Sequence, residues 1–385
     1  METADAVIIG GGLIGTSIAF RLVTIFDRVV LIDKGEIGGK TSASCDKAIF
    51  LQSKKPGFPS RLAKASRDIY EHLEEELGVP FEFKQAGGMI VIENEAHLPF
   101  MKEFVENQKK AGIDVRLLDR KEALERQPCF SENIVGSTYS SEDAEVNPLL
   151  LSYAFATAAK RKGAIIRSHT EVTNIITEQG KVTGVQTNKG DIATPLVINA
   201  AGPFATEVAS MANVSIPIQP RRGVILISER TRPMVTGNVL CSQYIATKHA
   251  ANAEDGIPPI GLSLGQTKSG NLLIGGSREF VGFNKKVVPS LFKAIAEHAT
   301  RIAPSIKNVR LIRTMVGFRP YTGDGLPIID KATEIEGLII AAGHEGDGIA
   351  LAPITGKLVA DLVEGKKNEL LEPLTLGRFK LDDEK

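Results

Sequence analysis

Three glycines and an acidic residue near the N-terminus have the types and spacing of a nucleotide-binding turn. Gly10, Gly12 and Gly15 form G-x-G-x-x-G within VIIGGGLIGTSIAF (residues 7–20), and Asp33 follows 18 residues after Gly15. Glycines here allow a tight turn, the approach of a pyrophosphate to the backbone, and close packing of a helix on a strand. A carboxylate at position 33 can accept hydrogen bonds from both ribose hydroxyls and disfavours a 2′-phosphate. The pattern predicts binding of FAD or NAD rather than NADP.

An arginine beside a proline is the second candidate for chemistry. Arg319 precedes Pro320 in GFRPYTGDGLPIID (residues 317–330), and the chain then turns through residues 323–325. The planar guanidinium can bind a carboxylate with two parallel hydrogen bonds. From spacing alone, a surface or inter-domain salt bridge is the alternative role for Arg319.

A β-turn-α-β unit must position the glycines. Residues 6–9 are apolar throughout and predict a buried strand, and apolar side chains four apart over residues 14–22 predict a helix. RVVLI at residues 28–32 predicts the next strand, which Asp33 closes. The helix N-terminus would supply free amides and a partial positive charge to the phosphates.

The rest of the chain distinguishes FAD from NAD. A nicotinamide dehydrogenase usually completes its nucleotide fold within about its first 150 residues. Here a helix at 145–163 and strands within 164–202 predict a second entry into that fold, and residues 337–353 predict a third. The last piece reads as a strand, a glycine turn and a helix starting near Gly348, with Pro353 expected in about its first turn. This division favours FAD.

Bulk composition limits the class of protein. A chain of 385 residues predicts two domains, and zero net charge gives no reason to expect nucleic acid as a partner. There is no apolar run long enough for a membrane span, and the N-terminus leads directly into a strand without room for a signal peptide. Cys45, Cys129 and Cys241 are few and far apart, which predicts free thiols in the cytoplasm. No pair of Cys or His residues has metal-ligand spacing.

The chain resembles the D-amino-acid oxidase family of flavoproteins, which includes glycine oxidase and sarcosine oxidase. Within the family it is most similar to the subunits of hydrogen cyanide synthase, hydroxyproline dehydrogenase and opine oxidase. Four separated motifs carry the resemblance: VIIGGGLIGTSIAF, VINAAGPFA, TMVGFRPYTGDGLPIID and AAGHEGDGIALAPITGKLVADLV.

The resemblance implies a non-covalent FAD that lies extended, with its adenosine at the first glycine turn. A helix starting near Gly348 would point its N-terminus at the flavin ring, where reduction places negative charge. The implied cofactor-binding residues are Gly10, Gly12, Leu13, Ile14, Gly15, Asp33, Lys34, Thr41, Ser42, Ala43, Val172, Ala201, Gly202, Gly343, Gly346, Asp347, Gly348 and Ile349.

The same resemblance implies the catalytic residues and two departures from the family. Arg319 would bind the substrate carboxylate, Tyr244 would reach the substrate, and His344 would tune the flavin. Gly346 stands where glycine oxidase-like proteins have an arginine, so a second charged contact is expected to be absent. PYTGDGLP lacks the cysteine that binds flavin in sarcosine oxidase-like proteins, and Cys45 is expected to be a buried free thiol rather than a flavin linkage.

The predicted fold class is α/β, with a discontinuous Rossmann-like FAD-binding domain and a second, mainly antiparallel-sheet substrate domain. The first domain would comprise residues 1–50, 145–214 and 321–385. The second would comprise residues 51–144 and 215–320, with helices such as 61–77 packed beside its sheet.

The predicted function is FAD-dependent oxidation of the C–N bond of a small amino acid, with hydride transfer from Cα to flavin N5, giving an imine. The substrate would be a secondary amino acid, such as proline, hydroxyproline, sarcosine or an opine, or else glycine or a D-amino acid. Electrons would pass to oxygen, to a partner dehydrogenase subunit or to a quinone, and partners could hold the protein at a membrane surface. The alternatives are a partner-dependent electron-relay or structural subunit, a flavin monooxygenase or halogenase, and an NAD-dependent dehydrogenase.

Overall fold

The computed structural model of the chain describes residues 2–249 and 260–379. Within these ranges the helices are α1 (Leu13–Leu22), α2 (Phe58–Leu77), α3 (Leu98–Lys110), α4 (Arg120–Arg126), α5 (Pro148–Arg161), α6 (Ala205–Ser210), α7 (Ser242–His249), α8 (Pro289–Ile302) and α9 (Gly348–Val363). None of these helices combines the length and the apolar character that crossing a membrane requires.

The strands of the same ranges form four sheets. The first ten strands are β1 (Glu2–Thr3), β2 (Ala6–Ile9), β3 (Val29–Ile32), β4 (Ala48–Ile49), β5 (Gly88–Ile92), β6 (Arg116–Asp119), β7 (Gly136–Ser140), β8 (Ala144–Glu145), β9 (Ile165–Arg167) and β10 (Val172–Glu178). The remainder are β11 (Lys181–Thr187), β12 (Ile192–Ala193), β13 (Val197–Asn199), β14 (Gln219–Arg230), β15 (Asn238–Cys241), β16 (Ile260–Gln266), β17 (Asn271–Ser277), β18 (Leu311–Tyr321), β19 (Ile328–Lys331) and β20 (Leu338–Ala342).

A six-stranded sheet organises the nucleotide-binding half of the molecule. Its order is β19-β20-β13-β2-β3-β9, and every pair is parallel except β19 with β20. The strands are apolar on both faces because both faces are covered. Helices α1, α5 and α9 pack on one face, and the four-stranded sheet β1-β12-β11-β10 with α6 packs on the other. The turns after β2, β3, β13 and β20 therefore meet at one edge, where ligands bind in open α/β sheets.

Local sequence signals predicted the elements of this half. The predicted strand at residues 6–9 is β2, and the strand predicted at 28–32 is β3, which begins one residue later. The helix predicted at 145–163 is α5, and the Asn147 side chain caps its start by accepting a hydrogen bond from the Leu150 amide at 3.2 Å. The helix ends at Arg161, two residues before Gly163, which has a φ of +105°.

The sequence predicted Pro353 in about the first turn of its helix. This prediction is wrong, because Pro353 is the sixth residue of α9. A proline there cannot donate a hydrogen bond to the carbonyl of Ile349, four residues earlier. The buried Tyr70 hydroxyl donates to that carbonyl instead, at 2.6 Å. The interior proline is accommodated because α2 supplies the missing donor.

The second large sheet has eight strands in the order β18-β14-β17-β16-β15-β5-β7-β6. It is antiparallel apart from the parallel pair β15 with β5, which confirms a mainly antiparallel sheet. Helix α8 packs against β16 and β17. By contrast, α2 packs against α9 in the nucleotide-binding half, so the expectation that residues 61–77 flank the antiparallel sheet is wrong. The predicted domain limits stay a prediction.

Asp143 gives the fold a pH dependence. Its carboxylate is buried and accepts hydrogen bonds from the Leu51 amide and the Gln52 side chain, at 2.7 and 2.6 Å. Burial outweighs these bonds and raises the pKa of Asp143 to about 7. Because the folded state holds this proton more tightly than the unfolded state, stability falls as pH rises from about 4 to 7.

We expect Asp143 to lower the free energy of unfolding by about 2–3 kcal/mol between pH 5 and pH 8. Urea denaturation at the two pH values measures this, and Asp143→Asn should remove that part of the difference. Asp68→Asn, at an exposed position on α2, is the matched control and should retain it. An Asp143→Asn profile identical to that of the wild type would contradict the assignment.

Candidate active site

One cavity is bordered both by the turns of the six-stranded sheet and by the eight-stranded sheet. Most of the predicted site residues lie on its wall. They are Gly10, Gly12, Leu13, Ile14, Asp33, Lys34, Thr41, Ser42, Val172, Ala201, Gly202, Tyr244, Arg319, His344, Gly346, Gly348 and Ile349. Four others, Gly15, Ala43, Gly343 and Asp347, are not on the wall.

Each of the three positions in the first turn is a glycine for a different physical reason. Gly10 has a φ of +111°, and a Cβ there would collide with the carbonyl of Ala200. A Cβ on Gly15 would collide with the carbonyl of Gly10, so this glycine allows α1 to pack closely on β2. Gly12 has an ordinary φ of −73°, and a Cβ there would approach only the Ser42 hydroxyl, at 3.2 Å. The protein itself would accommodate a Cβ at position 12 after a small shift of Ser42, so the glycine fits a ligand that lies against the backbone there.

Asp33 is held rigidly at the end of β3. One carboxylate oxygen accepts from the Gly11 amide and the other from the Gly35 amide, each at 2.7 Å. A carboxylate oxygen has two acceptor positions, so each oxygen retains capacity for a ribose hydroxyl. Lys34 beside it lies over the Phe204 ring, 4.1 Å from the centroid.

The segment at residues 41–43 joins the glycine turn to the antiparallel sheet. The Ser42 hydroxyl accepts a hydrogen bond from the Leu13 amide at 2.9 Å, at the start of α1. The Thr41 hydroxyl donates to the carbonyl of Phe318 on β18 at 2.7 Å. These two bonds fix the distance between the nucleotide turn and Arg319, the residue that follows Phe318.

Arg319 presents its guanidinium on the cavity wall, with the side chain 21% exposed. The guanidinium lies above Gly223 on β14, where a Cβ would collide with it. It donates to the carbonyl of Ser277 at 3.1 Å, and Nε lies 3.7 Å from the Glu345 carboxylate. The Ser277 carbonyl and the Glu345 carboxylate therefore hold the guanidinium in place, while part of it remains accessible from the cavity.

Sequence reasoning missed the charges that surround Arg319. Strands β14 and β18 place Arg221 directly opposite Arg319, and Glu345 pairs with Arg221 through a charged hydrogen bond. Burial lowers the pKa of Arg221, as do Arg278 and Arg319, while Glu345 opposes the shift. Arg221 and Arg278 thus lie close enough to influence the charge around Arg319, but neither lines the cavity, and the expected absence of a second charged contact with the substrate stays a prediction. Only the register of the two strands could have revealed Arg221.

Tyr244 lies on the cavity wall, on helix α7 rather than on a strand. The Arg278 guanidinium carbon lies 4.0 Å from the centroid of its ring, which is a cation–π geometry. A Cβ on Gly261 of β16 would collide with the Tyr244 backbone, so β16 supports α7 closely at this point.

His344 lies on the cavity wall with its side chain almost fully buried. The Thr355 hydroxyl donates to the carbonyl of Leu351 at 2.8 Å, so it accepts from His344 Nε2 at 2.9 Å, and the network assigns the proton to Nε2. Burial lowers the pKa of His344 to about 3. This imidazole cannot serve as a general base near neutral pH, because it is far too weak.

The neutral state of His344 should appear in acid stability. The unfolded chain binds a proton near pH 6.5 and the folded chain only near pH 3, so stability falls as pH falls through this window. We expect His344 to lower the free energy of unfolding by about 2 kcal/mol as the pH falls from 8 to 5. Urea denaturation of His344→Gln should lack this loss, whereas His72→Gln, exposed on α2, should retain it. An NMR titration showing a His344 imidazolium at pH 6 would refute the assignment.

Cys45 is half-buried on the cavity wall, not fully buried as expected. Its thiol donates to the carbonyl of Ser42 at 3.1 Å. Burial raises the pKa of this thiol above its ordinary range, with Asp46 acting in the same direction. A protonated thiol is a poor nucleophile, which supports non-covalent binding of the flavin.

The cavity residues fit FAD. At one side, side-chain-free backbone at Gly12 and the oriented carboxylate of Asp33 suit a pyrophosphate and a ribose. At the other, Gly348 and Ile349 place the N-terminus of the sixteen-residue α9 on the wall. The partial positive charge of a helix N-terminus stabilises an anionic group.

A parallel nucleotide-binding sheet and an arginine-bearing antiparallel sheet that share one cavity suit a dinucleotide-dependent oxidoreductase. Residues 5–362 match the DAO family of FAD dependent oxidoreductases, and the chain belongs to this family. The resemblance, the fold class and the FAD cofactor predicted from the sequence are confirmed. The chain is an enzyme of the group that contains FAD-dependent amino acid oxidases and dehydrogenases acting on C–N bonds.

Three relatives show the range of the family. Hydrogen cyanide synthase subunit HcnC of Pseudomonas aeruginosa is 29% identical, over 98% of this chain and 97% of its own. Glycine oxidase of Geobacillus kaustophilus is 30% identical, over 97% of each chain. The crystal structure of L-proline dehydrogenase from P. horikoshii is 28% identical, with a TM-score of 0.89 over 99% of both chains.

Proposed function

We propose that the protein oxidises the C–N bond of a small amino acid, with a secondary amino acid as the favoured substrate class. The observation that carries the proposal is the guanidinium of Arg319, anchored through Ser277 and accessible on the wall of the same cavity as the nucleotide turn. The similarity to glycine oxidase supports an amino acid substrate, and the similarity to the L-proline dehydrogenase structure favours a secondary one, because proline is a secondary amine.

Arg319 would bind the substrate carboxylate with two parallel, charge-assisted hydrogen bonds. Two bonds to a planar group fix orientation as well as position, and orientation supplies much of the rate in a reaction between bound partners. Glu345 and the Ser277 carbonyl would hold the guanidinium in place, and Tyr244 would close the substrate space from α7.

Bound FAD would supply the acceptor for the hydride that leaves Cα, and the neutral amine would become an iminium ion, which gives the imine when it loses a proton to water. The chain's own residues supply electrostatics. The amides of Gly348 and Ile349 at the start of α9 would stabilise negative charge that develops beside them. The neutral His344 adds no positive charge there and takes up no proton at neutral pH. The substrate amine would therefore lose its proton to water before the reaction.

The first experiment is anaerobic bleaching of the flavin spectrum of the purified holoprotein. The panel contains L-proline, hydroxyproline, sarcosine, an opine, glycine and D-alanine, with pyrrolidine as the matched amine that lacks a carboxylate. We expect a secondary amino acid to bleach the flavin and pyrrolidine to be much slower. Readmission of air then separates an oxidase, which re-oxidises rapidly, from a dehydrogenase.

A partner-dependent subunit is the second candidate, favoured by the similarity to HcnC, which is itself a subunit. A yellow protein that is not bleached by any member of the panel, but is reduced by dithionite, would support this candidate and contradict the proposed activity.

A further inference from the structure

We propose that the protein binds one zinc ion through Glu93, Cys241 and His298, between the eight-stranded sheet and α8. The three potential ligand atoms, one carboxylate oxygen, Sγ and a ring nitrogen, lie within 4.8 Å of one another. The sites described above do not use any of these residues.

Three separate elements bring the ligands together. Strands β5 and β15 are parallel, with Val91 opposite Cys241, so Glu93 and Cys241 both lie where their strands end. His298 comes from α8, on the buried face of that helix among Leu291, Ile295 and Ala299. Residues 93, 241 and 298 are far apart in sequence, which is why no metal-ligand spacing was visible.

In the part of the chain that the structure describes, the carboxylate of Glu93 and Nε2 of His298 lack the hydrogen bonds that buried groups normally have. Side-chain exposure is 12% for Glu93 and 6% for His298. Among the described residues, no hydrogen-bond partner reaches either carboxylate oxygen of Glu93 or Nε2 of His298. His298 Nε2 is 3.4 Å from Glu93 Oε1, a separation typical of two ligands on one ion rather than of a hydrogen bond. Such unsatisfied buried atoms are costly, and a bound cation would satisfy all of them.

The donor set selects zinc. One thiolate, one imidazole and one carboxylate are the usual zinc ligands, and three protein ligands leave a fourth position for water. A thiolate and a carboxylate also neutralise a divalent cation, so the buried site carries no net charge. Calcium and magnesium prefer oxygen ligands only.

Backbone amides beside Cys241 favour a thiolate ligand there. The Cys241 sulfur accepts hydrogen bonds from the amides of Tyr244 at 3.3 Å and Leu262 at 3.2 Å. Glu93 also lines a surface pocket together with Asn94 and His97, so the cluster borders this pocket at the Glu93 side chain.

The test is a Co²⁺ titration of the chelator-treated holoprotein, read at wavelengths longer than the oxidised flavin absorbs. We expect the ligand-field bands of one tetrahedral Co²⁺ per chain, which Zn²⁺ abolishes. Cys241→Ser and His298→Gln should weaken the binding at least tenfold. Cys129→Ser, at the other buried cysteine, is the matched control and should bind as the wild type does.

X-ray absorption of the zinc-loaded wild-type protein gives an answer that does not depend on the variants folding. We expect one Zn–S distance of about 2.3 Å, with the remaining ligands nitrogen or oxygen at about 2.0–2.2 Å. A spectrum without a sulfur ligand would overturn the proposal, as would Co²⁺ binding that is unchanged in both variants. Absence of Co²⁺ and Zn²⁺ binding in the wild type would overturn it too, and would leave Glu93 and His298 as a buried ion pair.

Discussion

Arg319→Met should lower kcat/KM for the amino acid substrate by about 10²- to 10⁴-fold. Two hydrogen bonds from a guanidinium to a carboxylate contribute about 3–5 kcal/mol when both are lost, and about 1.4 kcal/mol corresponds to each factor of ten in rate. The fold should survive, because Glu345 keeps Arg221 as its partner when Arg319 is removed.

The measurement is the rate of anaerobic flavin reduction as a function of substrate concentration. Arg319→Lys separates charge from geometry, since lysine retains the charge but cannot bind a carboxylate bidentately, and it should fall between the wild type and Arg319→Met. Arg313→Met is the control, because Arg313 is exposed on the same strand β18. It should react at the wild-type rate.

The matched amine makes the prediction specific to the carboxylate. Arg319→Met should slow the oxidation of proline far more than that of pyrrolidine, so the preference for the amino acid should collapse. An equal loss on both compounds would mean that Arg319 supports the cavity without binding the carboxylate. Bleaching by pyrrolidine as fast as by proline in the wild type would contradict the proposed substrate class itself.

The sequence predicted the parts of the site that depend on neighbours in the chain. The first 33 residues contain both the turn between β2 and α1 and Asp33, the acid that closes β3. The glycine spacing of the turn and the apolar periodicity of the elements around it are local signals. The entry to α5 was equally local, because Asn147 caps the helix that it precedes.

The parts that were missed depend on residues brought together from distant positions. Arg221 faces Arg319 only because of the register between β14 and β18, and the two like charges are tolerated because Glu345 lies beside them. Pro353 is accommodated by Tyr70, which is 283 positions earlier in the chain. Such pairings are not encoded in any local pattern.

Gly12→Ala should produce a folded protein that has lost most of its affinity for FAD. Alanine adopts the backbone conformation of Gly12 without strain, since φ is −73° and ψ is −176°. Its methyl group would approach the Ser42 hydroxyl at 3.2 Å, which a shift of a few tenths of an ångström relieves. The same methyl would occupy the space in which a pyrophosphate approaches the backbone.

Substitutions at two further glycines distinguish a loss of FAD binding from a loss of packing. A Cβ on Gly15 collides with the Gly10 carbonyl, so Gly15→Ala should damage the packing of α1 on β2 and lower the thermal stability of the apoprotein. Gly323 is exposed with no atom near its Cβ position, so Gly323→Ala should bind FAD as the wild type does.

For Gly12→Ala we expect the apoprotein to unfold at the wild-type temperature and the Kd for FAD to rise at least about 100-fold, or about 2.7 kcal/mol. Titration of apoprotein with FAD, followed by flavin fluorescence, measures the Kd. Wild-type affinity in Gly12→Ala would show that the pyrophosphate does not lie against this residue.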